Sequence, residues 1–273
     1  MTTGEPTRGR EEISPYAESD LPEIRVEARI QVGDSYLHQG DVEGAMQHYQ
    51  DALDEALISG ESDLPTVPMY KLLGMNLYMH NFSEAANVAS LVREVQPLAD
   101  YPIAVGFDSL GVRGDIEALE ALKAQVEATY EADPRLQPLL PNMSLAMEAW
   151  IAHWRGDHAR VIEIAEQRNR LHGLRLTHFV PELPALIALG RADEILVLVR
   201  QFREPDVFLR PARFPPLRNR YMQYWEARAY EALGDTASAV RVYRTLLDEF
   251  GDAVLRFPMI ADASSRLAAL DAQ

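Results

Sequence analysis

The sequence predicts an all-α chain of about six antiparallel helix pairs, stacked side by side and closed by one further C-terminal helix. Three observations predict it. First, a short phrase keeps returning: Gly-Asp, then an apolar residue that opens a new helix. It reads Gly40-Asp41-Val42-Glu43-Gly44-Ala45, Gly114-Asp115-Ile116-Glu117-Ala118-Leu119, Gly156-Asp157, Gly190-Arg191 and Gly234-Asp235, with His80-Asn81-Phe82-Ser83-Glu84-Ala85 as a degenerate copy. Second, the anchors of this phrase lie 40, 34, 42, 34 and 44 residues apart, and self-similarity at such a period marks a stacked repeat array. Third, apolar residues recur at spacings of three and four around each break, while strand-like alternation is nowhere sustained.

The elements follow in order. Residues 1–21 are rich in Thr, Gly, Glu, Pro and Ser and read as a disordered tail. Helical periodicity begins at Pro22-Glu23-Ile24, so the repeat domain is assigned to 22–273. In copy one, Gly33 and Ala45 are small where two helices approach, Tyr36 and Tyr49 fill the space beside them, and Ala52 continues the face. Gly40 takes the turn, since glycine enters the left-handed region without steric penalty, and Asp41 caps the second helix. Copy two, around His80, lacks the first-helix tyrosine of copy one. Copy three runs through Gly114 and Leu119 and stops at Glu131-Ala132-Asp133-Pro134. The Pro-rich stretch 136–141 then offers a soft division into two halves. Copy four has Ala149, Ala152, Gly156, Val161 and Ala165, and copy five has Leu183, Leu186, Gly190 and Ile195. Copy six repeats the first with Ala227, Tyr230, Gly234, Ala239 and Tyr243, and a last helix covers Met259–Ala269. Extra residues fall near Pro65–Pro68, Pro134–Pro141 and Pro205–Pro216, so long and short spacings alternate as in a double repeat.

On these residues, from about 23 to 250, the chain resembles the tetratricopeptide-repeat family, whose unit is 34 residues long. The resemblance implies a right-handed α-α superhelix of about six such helix pairs plus a C-terminal capping helix. It also implies a non-catalytic interaction module that holds a peptide or partner protein on a concave groove lined by first helices. The early aromatic of the family pattern is replaced by Arg29 in copy one. In the family's register the inward positions are Ile30, Asp34, Leu37 and His38 in copy one, Tyr70 and Tyr78 in copy two, and Asp108 in copy three. Copy four supplies Trp150, His153 and Trp154, and copy six supplies Tyr221, Tyr224 and Arg228. Tyr and Trp give stiff contact area with a polar tip, which suits peptide recognition; packing between neighbouring helices is the alternative for each. Some family members grip a carboxylate tail with Lys and Asn on first helices. Ile30 and Asp34 stand at the matching places here, which disfavours chaperone-tail binding. The alternating spacing is also similar to helical segments of bacterial signalling and transcription regulators, which makes a ligand-sensing or regulatory segment the second reading.

Composition bounds the rest. A hydrophobic content of 47% supports a sizeable core, and the absence of cysteine rules out disulfides and thiolate metal sites. No stretch reaches the roughly 20 apolar residues that cross a bilayer, and the polar N-terminus does not read as a secretory signal, so a cytoplasmic location is expected. The sequence is also compatible with being a piece of a longer chain. Net charge is −16, which argues against general nucleic-acid or acidic-membrane binding. The charge is uneven: residues 1–140 carry 25 acids and 9 bases, while 141–273 carry 17 of each, every base an arginine. Solvated surfaces explain this, as does a polarised surface that steers a partner. The run Arg200, Arg203, Arg210, Arg213, Arg218 and Arg220, interleaved with Phe202, Phe208 and Phe214, suits phosphate or nucleic acid in principle. In an acidic chain it reads better as a linker that docks its Phe residues.

No chemistry-bearing motif stands out. The seven histidines make no His-Glu-x-x-His pattern, and no nucleophile elbow, phosphate-cradling Gly loop or dinucleotide fingerprint occurs. Asp34 and His38, four apart, could share a proton or a metal, though surface pairing explains them as well. No cofactor, metal or catalytic residue is therefore assigned.

Overall fold

The computed structural model describes residues 6–61, 63–95, 101–172, 181–203, 215–250 and 257–272. Among these the secondary structure is helical throughout. A short α1 (Pro6–Ile13) is followed by six pairs: α2 (Pro22–His38) with α3 (Val42–Ser59), α4 (Thr66–Tyr78) with α5 (Phe82–Val95), and α6 (Tyr101–Arg113) with α7 (Ile116–Ala132). Then come α8 (Leu140–Trp154) with α9 (His158–His172), α10 (Glu182–Ala188) with α11 (Ala192–Arg203), and α12 (Pro215–Ala232) with α13 (Thr236–Phe250). A final α14 (Pro258–Asp271) closes the series. Each helix packs on its sequence neighbours, within a pair and from pair to pair, as a serial array requires. Helices α7 and α8 pack together across 136–141, so the stack runs on through that Pro-rich stretch.

The recurring phrase marks the hairpin corners. Gly40, Gly114, Gly156, Gly190 and Gly234 all adopt positive φ, and so does His80, with φ 56°, at the degenerate copy. The aspartate after the turn accepts the amide N–H three residues on in four copies: Asp41 from Gly44, Asp115 from Ala118, Asp157 from Arg160 and Asp235 from Ser238. These bonds satisfy amides that the helix start leaves without partners.

Within a pair, small residues admit large ones. A Cβ on Gly33 would stand 2.7 Å from the Tyr49 ring, so only glycine lets α2 and α3 close on that fully buried tyrosine. The Tyr49 hydroxyl donates to Asp34 Oδ1 at 2.6 Å, and Lys71 Nζ of the next pair reaches both oxygens of the same carboxylate at 2.6 and 2.9 Å. The matching tyrosine of copy six, Tyr243, donates to Glu231 at 2.9 Å. Helix α4 is buried continuously from Pro68 to Tyr78, including Lys71, paired with Asp34, and Asn76, which donates to the Leu72 carbonyl. The first helices also meet one another in sequence, α4 with α6, α6 with α8, α8 with α10, α10 with α12, and α12 with α14. Helix α12 returns to touch α2. First helices therefore surround a common interior.

At the N-terminal end, residues 6–18 form α1 and a 3-10 turn (Ser14–Glu18) that lie on α2. Arg10 sets its guanidinium 4.2 Å from the centroid of the Tyr36 ring and donates to Gln39 Oε1 at 2.5 Å, while Gln39 donates to Thr7 at 3.1 Å. Of the Arg-rich run, Arg210, Arg213, Phe208 and Phe214 lie outside the described residues.

Candidate functional site

A cavity of about 290 Å³ opens in the interior, walled by Tyr78 of α4, Val112 of α6, Trp150 of α8, Pro184 of α10, Tyr221, Tyr224 and Trp225 of α12, and Pro258, Met259 and Asp262 of α14, with His80 at the α4–α5 corner. Four residues that the sequence places on the inner face, Tyr78, Trp150, Tyr221 and Tyr224, come together here from three helices.

The rings meet edge to face. Tyr78 and Tyr221 have centroids 6.1 Å apart at 60°, Tyr221 and Trp225 6.2 Å at 74°, and Tyr224 and Trp225 5.4 Å at 75°. Such pairs satisfy the ring quadrupoles and stiffen the wall. Trp150 donates its indole N–H to the fully buried Asp108 at 3.3 Å, and its ring lies over Gly111, where a Cβ would come within 2.4 Å of it.

A polar network ties α14 to α12 at one side of the cavity. Tyr224 donates to Asp262 Oδ2 at 2.7 Å, Arg266 Nε donates to the same oxygen at 2.6 Å, and Arg228 Nη1 donates to the Tyr224 hydroxyl at 2.9 Å. Arg266 Nη1 also reaches Glu231 at 2.9 Å. Burial alone would raise the Asp262 carboxyl's pKa. The bonds from Tyr224 and Arg266, with the charges of Arg266 and Arg228, outweigh burial and hold it below its ordinary value. Burial and then the bond to Asp262 push the Tyr224 phenol above its ordinary value, so at neutral pH it keeps the proton it donates. Arg228 also stands 5.8 Å and 5.7 Å from the Tyr224 and Trp225 ring centroids.

The other expected inner-face residues lie elsewhere. Asp34 is held by Tyr49 and Lys71, and Tyr70 is buried. Burial lowers the His38 pKa. Asp108 serves Trp150. Trp154 stays 45% exposed while packing on Gly114 and donating its N–H to the Gly111 carbonyl. His153 lies edge-on to Trp150 and Trp154 at 6.0 and 5.3 Å. Sequence reasoning missed His80, Val112, Pro184, Trp225, Pro258, Met259 and Asp262. The register of helical repeats offers a signal for Trp225, next to Tyr224. It offers none for α14, which lies beyond the last repeat.

The fold defines an α-helical repeat protein built from serial hairpins. A family model of the tetratricopeptide repeat matches residues 221–253, which hold most of α12 and all of α13, so this segment is similar to one repeat of that family. The matched segment contains the turn at Gly234 and the Ala227, Ala239 and Tyr243 contacts that copy one anticipates. Repeats of this kind generally act as protein–protein interaction scaffolds. No curated protein matches the chain. No helix among the described residues is long and apolar enough to cross a membrane.

Proposed function

We propose that the chain is a non-catalytic interaction scaffold that takes a peptide or partner-protein segment on the inner face of its first helices, centred on the aromatic cavity. One observation carries this reading: Tyr78, Trp150, Tyr221 and Tyr224, which come from three helices and which the family resemblance expects to face inward, line a single cavity. Aromatic anchors in a desolvated pocket are where binding energy concentrates. Tyr78 packs on Tyr221, and Tyr221 and Tyr224 each pack on Trp225, so the segment docks at the cavity mouth and does not thread a long open groove. A pull-down from source lysate compares the wild type with a Trp150→Ala/Tyr224→Ala variant of unchanged helicity. The expected outcome is loss of a captured partner. Unchanged capture removes the cavity from the interface.

A ligand-sensing or regulatory role in a larger signalling protein is the second reading, and the clustering of aromatic side chains around one cavity supports it. A thermal-shift screen of sugars, nucleotides and peptides separates the two, because a ligand that binds only the folded state raises the melting temperature.

A further inference from the structure

Two imidazoles meet at the corner between α8 and α9. His153, in the last turn of α8, and His158, in the first turn of α9, have ring centroids 5.8 Å apart, and both side chains are half-buried. The Nδ1 atom of each ring is shut off from solvent and meets no hydrogen-bond partner among the described residues. A neutral imidazole tolerates this, because its one proton can sit on Nε2. An imidazolium does not, because it carries a proton on both nitrogens. Its Nδ1–H would be a buried donor without an acceptor, which is unfavourable. Protonating both rings would also set two like charges side by side.

The carboxylates on the elements packed against this corner are engaged elsewhere or lie open to water. On α6, Asp108 accepts from Trp150, and on α7, Asp115 caps its helix and Glu120 pairs with Arg155. On α9, Asp157 accepts the Arg160 amide, while Glu148 of α8 and Glu163 of α9 hold the Arg160 guanidinium. Arg113 and Glu117, at the α6–α7 corner, are exposed, and Glu182 of α10 is buried. Among the described residues, the titratable group that acts on His153 is His158. Burial first, and His158 second, lower the His153 pKa.

His153 also lies edge-on to Trp150 and Trp154, the two indoles that seat α8 on α6. Trp150 lies on Gly111 and donates to Asp108, and Trp154 packs on Gly114 and donates to the Gly111 carbonyl. A change at His153 is therefore passed to the α6–α8 contact and to the cavity wall that Trp150 forms. We propose that the His153–His158 pair is a pH-sensitive latch, which keeps the α8–α9 corner closed and Trp150 against the cavity near neutral pH and lets the corner open in mild acid. The latch is independent of what the cavity holds. In the open corner the rings reach water and titrate near the ordinary histidine value, about 6.5. In the closed corner protonation is resisted. The closed state is thus fully favoured above that value and loses ground as pH falls below it.

Hydrogen exchange of the full chain, read by mass spectrometry, tests this between about pH 7.5 and about pH 5.5, one unit either side of the ordinary histidine value. The molecule supplies its own control. The corner at Gly234 has the same turn and an aspartate cap, and neither α12 nor α13 contains a histidine. Its amides share the intrinsic pH dependence of exchange, so the ratio of protection at the two corners isolates the latch. The expected result is that protection at the α8–α9 corner falls by about 10-fold more than at the Gly234 corner, the linkage of one ring a unit below its ordinary value. His153→Phe keeps a ring against Trp150 and Trp154 and cannot take a proton, so the excess should vanish while protection at neutral pH is retained. Equal losses at the two corners of the wild type overturn the latch, and that comparison requires no variant to fold. An excess that persists in His153→Phe overturns His153 as its seat.

Discussion

Gly111 determines where Trp150 sits. Its missing side chain is the floor on which the indole lies, with less than a carbon–carbon contact distance to spare. Gly111→Ala must push the ring or part α6 from α8, and overpacking of this kind costs about 1–3 kcal/mol. Urea denaturation should show that loss, together with a changed environment of the Trp150 fluorescence. At the α4–α5 corner the strain runs the other way, because His80 holds a left-handed backbone that L side chains disfavour. His80→Gly should therefore stabilise the fold by about 0.5–1 kcal/mol; an unchanged or lower unfolding midpoint would refute it. Both residues bear on what a sequence discloses. The corner was legible even where the glycine is absent, since Asn81-Phe82-Ser83-Glu84-Ala85 repeats the phrase around it. Gly33 was legible because its partner, Tyr49, sits in the same hairpin. Gly111 was not, because its partner belongs to the next repeat, and helical periodicity carries no record of contacts between repeats.

Four of the hairpins are held at the start of their second helix by an aspartate cap and all pack on their neighbours, so single elements respond separately. Asp41 accepts the Gly44 amide at 2.8 Å, and Asp41→Ala should cost about 1 kcal/mol, read as a lower unfolding midpoint with helix content otherwise retained. The last element depends on charge. Asp262 in α14 has its pKa depressed in the folded state, so it contributes stability above its unfolded value, about 3.9, and loses it as pH falls through the folded value. Wild type should thus lose stability more steeply than Asp262→Asn as pH falls below about 5. Parallel pH profiles of the two would contradict this. At the N-terminal element, Arg10 finds an aromatic face on Tyr36, a tertiary contact that no window of sequence contains.

At the scale of the whole chain, curvature makes the site. The six turns were readable from spacing, while the choice of the first helices as the inner face was an expectation of the family resemblance. Which inner residues would meet was not readable, because that depends on how far each pair is rotated from the last. Helix α12 coming back to α2, and Tyr78 coming against Tyr221, are consequences of that accumulated rotation. The same rotation leaves Tyr70 and Asp108 in the packing, and brings α14, with Met259 and Asp262, to the cavity wall. The account stands on that cavity being the place where a partner is held. Photo-cross-linking tests it most directly, with p-benzoylphenylalanine placed at Met259 in the cavity wall and, separately, at Ile58, which is 83% exposed and no part of that wall. The account predicts covalent partner adducts from position 259 and none from position 58; adducts from 58 with none from 259 would contradict it.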